Sequence, residues 1–280
     1  PHDPWEKNNV PKMYYDMFKN KTLGPSKNYS DSLDPYGDSW SNEYKTQKMV
    51  SEWMRVYHAM TTNLDWNFGR LISSIKDAGI LDNTIIIFTS DHGEMFGSHG
   101  RMKKNIFYEE SIRVPFLIQW KDKLSSGLKL DTLLSTVDIM PTILGLVDVE
   151  IPKEVEGTDL SLALRGKTFD EPLFAFLMNT GACAIWEDGH EWRAIRDKRY
   201  TYAVYRGLKD LPRKELFFNN KNDPFQLNNL IDNSKYSNEI NIFRSFLSDK
   251  MNQLNDGFPA SSWYLKNWIQ DRNIKRTATI

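Results

Sequence analysis

The chain has one cysteine in 280 residues, Cys183, which excludes an internal disulfide framework and says little about compartment. It has no excess of one charge: 36 Lys and Arg against 37 Asp and Glu leave a net charge of −1. No global field recruits nucleic acid or a membrane surface, so any anion site must be local. No apolar run approaches the ~20 residues of a membrane-spanning helix. There is no internal repeat and no visible signal peptide, and the first residue is Pro1 rather than Met. Two N-x-S/T sequons, at Asn20 and Asn28, are no more than an Asn-rich chain gives by chance. What is present is ordinary: 40% hydrophobic and 26% charged residues suit one large domain, or one plus a small one.

One stretch organises the rest, Thr84–Pro115. It opens on Ile85-Ile86-Ile87-Phe88, a short β-branched run that reads as a buried parallel strand. Asp91-His92-Gly93 follow where the strand stops, and open α/β sheets place ligands at the carboxyl ends of their strands. Gly93 lets the backbone turn sharply. His99, a candidate substrate-binding residue, comes between glycines, then Arg101, Lys103 and Lys104. Val114-Pro115-Phe116-Leu117-Ile118 reads as the next buried strand. Asp and neutral His are metal ligands, and Lys supplies a point charge for an anion oxygen. Taken singly, an Asp-His pair is also a turn pair and a Lys pair a solvated face. Together they describe a loop that binds a metal and an anion.

At these residues the chain resembles a known family. D-H-G-E, G-S-H-G, a Lys, then Y-E-E-S-I-R-V-P are similar in order to the sulfatase family of the alkaline-phosphatase superfamily, and the resemblance covers nearly the whole chain. It implies an α/β fold, a mostly parallel sheet flanked by helices, with a small C-terminal antiparallel sheet plus helix. Residues 1–166 would form part of the α/β core and 167–280 the small subdomain. Asp91 and His92 would close a divalent-metal site, most often calcium, with manganese or zinc left open by the imidazole. The active-site lysine would be Lys104, counted back from Tyr108, not Lys103. Glu109 and Arg113 would form a buried ion pair. Pro1-His2-Asp3-Pro4 is similar to the family's P-H-x-P, which makes His2 a ligand of the substrate anion; from composition alone it is a frayed terminus. The resemblance favours a periplasmic, secreted or lysosomal setting and leaves a cytoplasmic one open. It implies a sulfated small molecule or glycan as substrate, with no nucleic acid and no membrane.

The remaining segments give supporting elements. The first forty residues read as irregular surface structure. Residues 43–78 carry a three-to-four apolar period, a helix with one buried face, long enough that a break is expected. Gly79 ends it. In 131–146, Asp138 reads as an N-cap and Pro141 as a first-turn proline. Residues 173–178, 183–186, 192–196 and 200–205 read as an antiparallel meander, and 238–254 as a helix packed on it. His190, Trp192 and Arg193 read as a surface turn with sheet packing or, alternatively, as a substrate-binding lip. The tail, 261–280, reads as an amphipathic cap.

Two family features are missing. Sulfatases use a formylglycine made from Cys or Ser in C/S-x-P-S-R, and no such motif exists here; Cys183 lies in Gly181-Ala182-Cys183-Ala184-Ile185. The family's early Asp-Asp metal ligands are also absent. Calcium wants about 6–8 oxygen ligands, and Asp91 with His92 supply at most about three donor atoms. The expectation is therefore the C-terminal part of a sulfatase, partnered by an N-terminal part that carries the nucleophile. In the mechanism this implies, a hydrated aldehyde attacks sulfur to give a covalent sulfo-enzyme, while Lys104 and His2 neutralise charge on the oxygens. A phosphodiesterase or phosphonate hydrolase of the same superfamily, and a non-catalytic anion-binding protein, stand as alternatives.

Overall fold

The computed structural model describes residues 4–43, 45–180, 187–208, 210–270 and 273–274. His2, Cys183 and the strand expected at 183–186 lie outside the described residues. The chain divides into two compact units, Pro1–Lys104 with Glu110–Asp122, and Asn105–Glu109 with Lys123–Ile280. The change of composition near Lys167 falls inside the second unit.

The first unit is built on helices α1 (Lys12–Asp16) and α2 (Gln47–Asp77). Thr46 caps α2 by accepting the Met49 N–H at 3.3 Å, and the helix runs 31 residues without the expected break. Helices kink at Pro, at π-bulges or at inserted polar groups. This one has no proline, and Gly69 stands in open space. Its end is a Schellman motif: Gly79 at φ +71°, with Gly79 N–H to Lys76 O at 2.9 Å and Ile80 N–H to Ile75 O at 3.3 Å. The buried face is confined to the first half, where Val56 and Ala59 pack on Val10 and Tyr14. Leu64, Trp66 and Leu71 in the second half are exposed.

Strands β1 (Ile86–Thr89) and β2 (Phe116–Gln119) pair antiparallel, from Ile86↔Gln119 to Thr89↔Phe116. Both were expected to be buried, and β1 parallel. Instead they are half-exposed, with Leu117 at 65%, and among the described residues no parallel pair forms. An apolar run records that a strand is meant to be covered, not which strand lies beside it.

The segment from Asn28 to Lys45 is irregular, as expected, but not superficial: Asn28, Tyr36, Asp38, Ser41 and Lys45 are all buried. Side chains replace the ladder of regular structure. Asn42 Nδ2 donates to Asp34 O and Gly37 O, both at 2.8 Å, and Ser41 N–H donates to Asp38 Oδ1 at 2.8 Å.

A short helix, α3 (Glu109–Ile112), stands where the chain passes between the units. The second unit contains α4 (Thr136–Leu146), α5 (Ser161–Leu164), β3 (Ala175–Asn179), β4 (Trp192–Arg196), β5 (Tyr200–Tyr205), β6 (Lys214–Asn219), α6 (Ser237–Gln253), α7 (Ser261–Trp268) and the strand pair β7 (Ile269–Gln270) and β8 (Asn273–Ile274). An antiparallel meander forms, β3-β4-β5-β6 in chain order: three of its strands fall at or near expected positions, and the fourth, β6, was not among the strands expected. Ile195, Tyr202 and Phe217 from the sheet pack against Ile240, Phe243 and Leu247 of α6. The cap of α4 is Ser135, not Asp138. Asp138 sits three residues on and accepts the Ser135 N–H at 2.7 Å, half of a capping box. Pro141 therefore lies in the helix interior. It leaves the Val137 carbonyl without a helical donor, and the backbone of Gly157 closes on that carbonyl so tightly that a Cβ there would lie 1.9 Å from it.

Glu109 forms an ion pair with Arg196. Its carboxylate takes Arg196 Nε at 2.7 Å and Nη2 at 3.0 Å, while Arg113 is exposed. The two-pronged geometry of a guanidinium on a carboxylate is met by Arg196, a residue the family resemblance did not single out.

Candidate active site

The chain leaves β1 and turns at once. Ser90 Oγ donates to His92 O at 2.8 Å, and His92 N–H donates to Asp91 Oδ1 at 3.0 Å. Gly93 N–H reaches Ser111 O at 2.8 Å, and a Cβ at Gly93 would stand 1.9 Å from Glu110 O. Glycine is required here by close approach rather than by φ. The His92 Nδ1 lies 2.7 Å from Gly93 O. A carbonyl only accepts, so Nδ1 carries the proton and Nε2 the lone pair. That lone pair faces Lys104 Nζ at 2.7 Å and Asp91 Oδ2 at 3.3 Å. Partial burial, the largest single influence, pushes the Asp91 carboxyl up. The His92 N–H and the Lys104 charge are among the influences that outweigh it and hold the carboxyl below the ordinary range.

Lys104 is delivered by a tight loop. Met95 N–H bonds Lys103 O and Gly97 N–H bonds Arg101 O, each at 2.8 Å. Phe96, His99, Lys103 and Asn105 have φ of +44°, +52°, +64° and +66°. Non-glycine residues persist there only where surrounding structure over-determines them. The buried 28–45 segment does so. Ser30 N–H bonds Gly97 O at 3.0 Å, His99 N–H bonds Asn28 O at 2.8 Å, and Met102 N–H bonds Ser41 O at 2.9 Å. Lys45 Nζ donates to Gly100 O at 2.8 Å, and burial pushes its ammonium down. Gly100 passes so close to Ser32 that a Cβ would lie 2.1 Å from its carbonyl.

The loop sorts its three cations. Arg101 is buried against Asp34, Nη1 to Oδ2 at 3.1 Å. Lys103 is held by Glu43 and by Trp40 O at 3.0 Å, its Nζ 4.6 Å from the Trp40 ring centre. Lys104 is the one that turns to His92. One residue escaped the sequence analysis. Glu94 Oε1 accepts the N–H of Lys103 at 2.6 Å and of Phe96 at 3.3 Å, and burial pushes its carboxyl up. A carboxylate within a metal-type motif gives no signal that its partners are backbone amides.

His99 belongs to the clasp: its Nε2 lies 3.0 Å from Asn28 Nδ2, which also donates to Glu110 Oε1 at 2.6 Å. His190 lies in the second unit, its Nε2 3.8 Å from Glu187 Oε2. Arg193 is not a substrate lip. It is 0% exposed and bonds Asp256 through Nε and Nη2, the latter at 2.9 Å. Asn179 O, Trp192 O and Tyr264 Oη take its remaining donors at 2.8–3.0 Å, and its guanidinium lies 4.5 Å from the Phe258 ring centre. No donor is left for a sugar.

Among the described residues, no group of three or more His, Cys, Asp or Glu is placed to hold a metal ion. Asp91 Oδ2 and the His92 Nε2 lone pair nevertheless form one edge, and the Gly93 carbonyl orients the ring as outer partners of metal-bound histidines do. The pair fits the corner of a divalent-cation site.

The Sulfatase family model matches residues 1–149, and that of the N-sulphoglucosamine sulphohydrolase C-terminal region matches 97–255. An ulvan-active sulfatase of Formosa agariphila is 32% identical over 279 residues, 98% of this chain and 50% of its own. A structure from work on metabolism of multiple glycosaminoglycans by Bacteroides thetaiotaomicron matches with a TM-score of 0.73 and 30% identity, over 99% of this chain and 55% of that one. The phosphonate monoester hydrolase of Agrobacterium radiobacter shares the fold, with a TM-score of 0.75 and 22% identity over 90% of this chain and 55% of that one. The chain spans about half the length of the curated relatives it matches.

Proposed function

The chain belongs to the sulfatase family, and on that premise we propose that it supplies half of the active site of a sulfuric ester hydrolase acting on a sulfated carbohydrate. The observation that carries this is the convergence of the Lys104 ammonium on the His92 lone pair at 2.7 Å, beside the Asp91 carboxylate. A cation and two metal-type donors meet at the carboxyl end of β1, where such folds bind ligands. The carbohydrate class rests on the ulvan-active relative. The sulfatase family is generally metal-dependent, and Asp91 and His92 are the residues that would hold the ion, calcium in our proposal. Bound there, a divalent cation supplies Lewis-acid polarisation of sulfate oxygens.

The residues of this chain do the following. Asp91 stays ionised and offers Oδ2. His92, locked as the Nδ1–H tautomer by Gly93 O, offers Nε2. That nitrogen has one lone pair, so any other occupant displaces Lys104. The ammonium is then free to donate to a sulfate oxygen as charge builds on it. Arg101 and Lys103 cannot take this part, being committed to Asp34 and Glu43. By its family match, His2 is a second ligand of the anion. The nucleophile is in our proposal a formylglycine outside these 280 residues, on the partner N-terminal part. No partnership with nucleic acid or membrane enters the proposal. Among the described residues no helix is long and apolar enough to cross a membrane.

The phosphonate-hydrolase reading retains one supporting observation, an imidazole at the metal edge, which also suits manganese or zinc. The test is a comparison on the natively expressed protein, with sulfated oligosaccharides set against an aryl phosphonate. Sulfate release, together with a peptide mass showing the aldehyde residue, supports the sulfatase. Turnover of the phosphonate alone overturns it.

A further inference from the structure

We infer that Glu94 is a positioning residue for the reaction, acting through the backbone of Lys103 to hold the Lys104 ammonium on His92. The inference rests on the function proposed above. The Lys103 peptide is clamped from both sides: Glu94 Oε1 takes its N–H at 2.6 Å, and Met95 N–H takes its carbonyl at 2.8 Å. The same carboxylate oxygen takes the Phe96 N–H at 3.3 Å. Lys103 and Phe96 are left-handed, at φ +64° and +44°, a conformation that strains a non-glycine residue. The carboxylate thus satisfies amides at two strained turns of the loop.

The consequence falls on the next residue. With Lys103 left-handed, successive side chains diverge: Lys103 runs to Glu43 and Trp40 O, Lys104 to His92 Nε2 at 2.7 Å. Were Lys103 to relax to negative φ, the peptide would rotate and Lys104 would leave His92. Glu94 touches neither substrate nor metal ligand in this arrangement; it sets where Lys104 stands.

The test uses three variants of the natively expressed protein. Glu94→Gln keeps an oxygen acceptor and loses the charge. Glu94→Asp keeps the charge and is one methylene short of the Lys103 amide. Glu94→Ala loses both. A misplacement of about 1 Å costs on the order of a hundredfold in turnover, so Asp and Ala are expected to lower kcat about that much with KM little changed, and Gln to retain most of it. Two readouts need no turnover. Hydrogen exchange at the Lys103 amide is expected to accelerate in Asp and Ala but not Gln. The His92 Nε2 nitrogen resonance is expected to lose the shift of an accepted hydrogen bond in the same two. If Ala does not fold, Asp carries the test. Wild-type kcat in Asp, or an unmoved His92 resonance in Asp, overturns the inference. So does a Gln variant as slow as Asp with the Lys103 amide still protected, because charge and not position would then be at work. Should the wild-type protein turn over no sulfate ester, the proposed function falls, and the exchange and resonance readouts still decide the positioning.

Discussion

Replacing Arg193 separates two readings of the second unit. Sequence allows a basic residue that grips a substrate; the structure buries it completely against Asp256, itself 9% exposed. Arg193→Ala removes the guanidinium and leaves the carboxylate with the Phe258 N–H at 2.9 Å as its remaining described donor. Breaking a buried ion pair from one side costs about 3–5 kcal/mol, because the surviving charge stays desolvated. At roughly 2–4 °C per kcal/mol for a protein of this size class, the thermal midpoint is expected to fall by about 6–20 °C. Arg193→Lys is expected to recover little, since an ammonium cannot reproduce the two-pronged contact. Removing both charges, Arg193→Met with Asp256→Leu, is expected to recover most of the loss. The assay is thermal unfolding by circular dichroism, with substrate preference measured on the same samples below the transition. An Arg193→Ala protein with an unchanged midpoint and an altered preference between sulfated sugars would refute the burial argument.

Three further outcomes follow from the site. Lys104→Ala is expected to lower turnover about a hundredfold, the size of one lost electrostatic donor, while Lys103→Ala shifts stability more than rate; equal effects on rate would undo the assignment of Lys104. Calcium titration of the 280-residue chain by calorimetry is expected to show an affinity no tighter than about 10⁻⁴ M, the weak end for protein sites, because Asp91 and His92 form only a corner. Micromolar stoichiometric binding would place a full ligand set within these residues. Gly93→Ala is expected to cost about 1–3 kcal/mol by overpacking against Glu110 O, read as a lower denaturant midpoint, and a midpoint equal to wild type would show that the loop yields freely.

The sequence was most legible where a local rule sufficed. Strands β4 and β5 fall on the residues expected, because alternation and flanking turns mark a meander. Gly79 ends α2 because only glycine enters the left-handed region cheaply. Lys104 was separable from Lys103 only through the family resemblance; in the structure Lys103 is held by Glu43 while Lys104 turns to His92. Partnerships across the chain were not legible. Glu109 finds Arg196, and Arg193 finds Asp256; a charge in a sequence carries no address for its counterpart. The clasp of Asn28 to Lys45 escaped for a related reason. Its order comes from side chain-to-backbone bonds that have no period, so a buried segment reads as surface loop. Glu94 was hidden because its partners are amides.

That clasp has a kinetic consequence. Asn28 and His99 meet across 71 positions, and Lys45 and Gly100 across 55, with α2 and β1 between them. Contacts of that separation need much of the chain ordered before they repay the entropy of loop closure. In refolding, helix α2 is expected to return first and the Lys104 loop late, so that the helical signal recovers ahead of the site. On heating the order is expected to reverse, with the strained turns of the Lys104 loop opening while the helix still stands, read as hydrogen exchange at the loop amides ahead of loss of the helical signal.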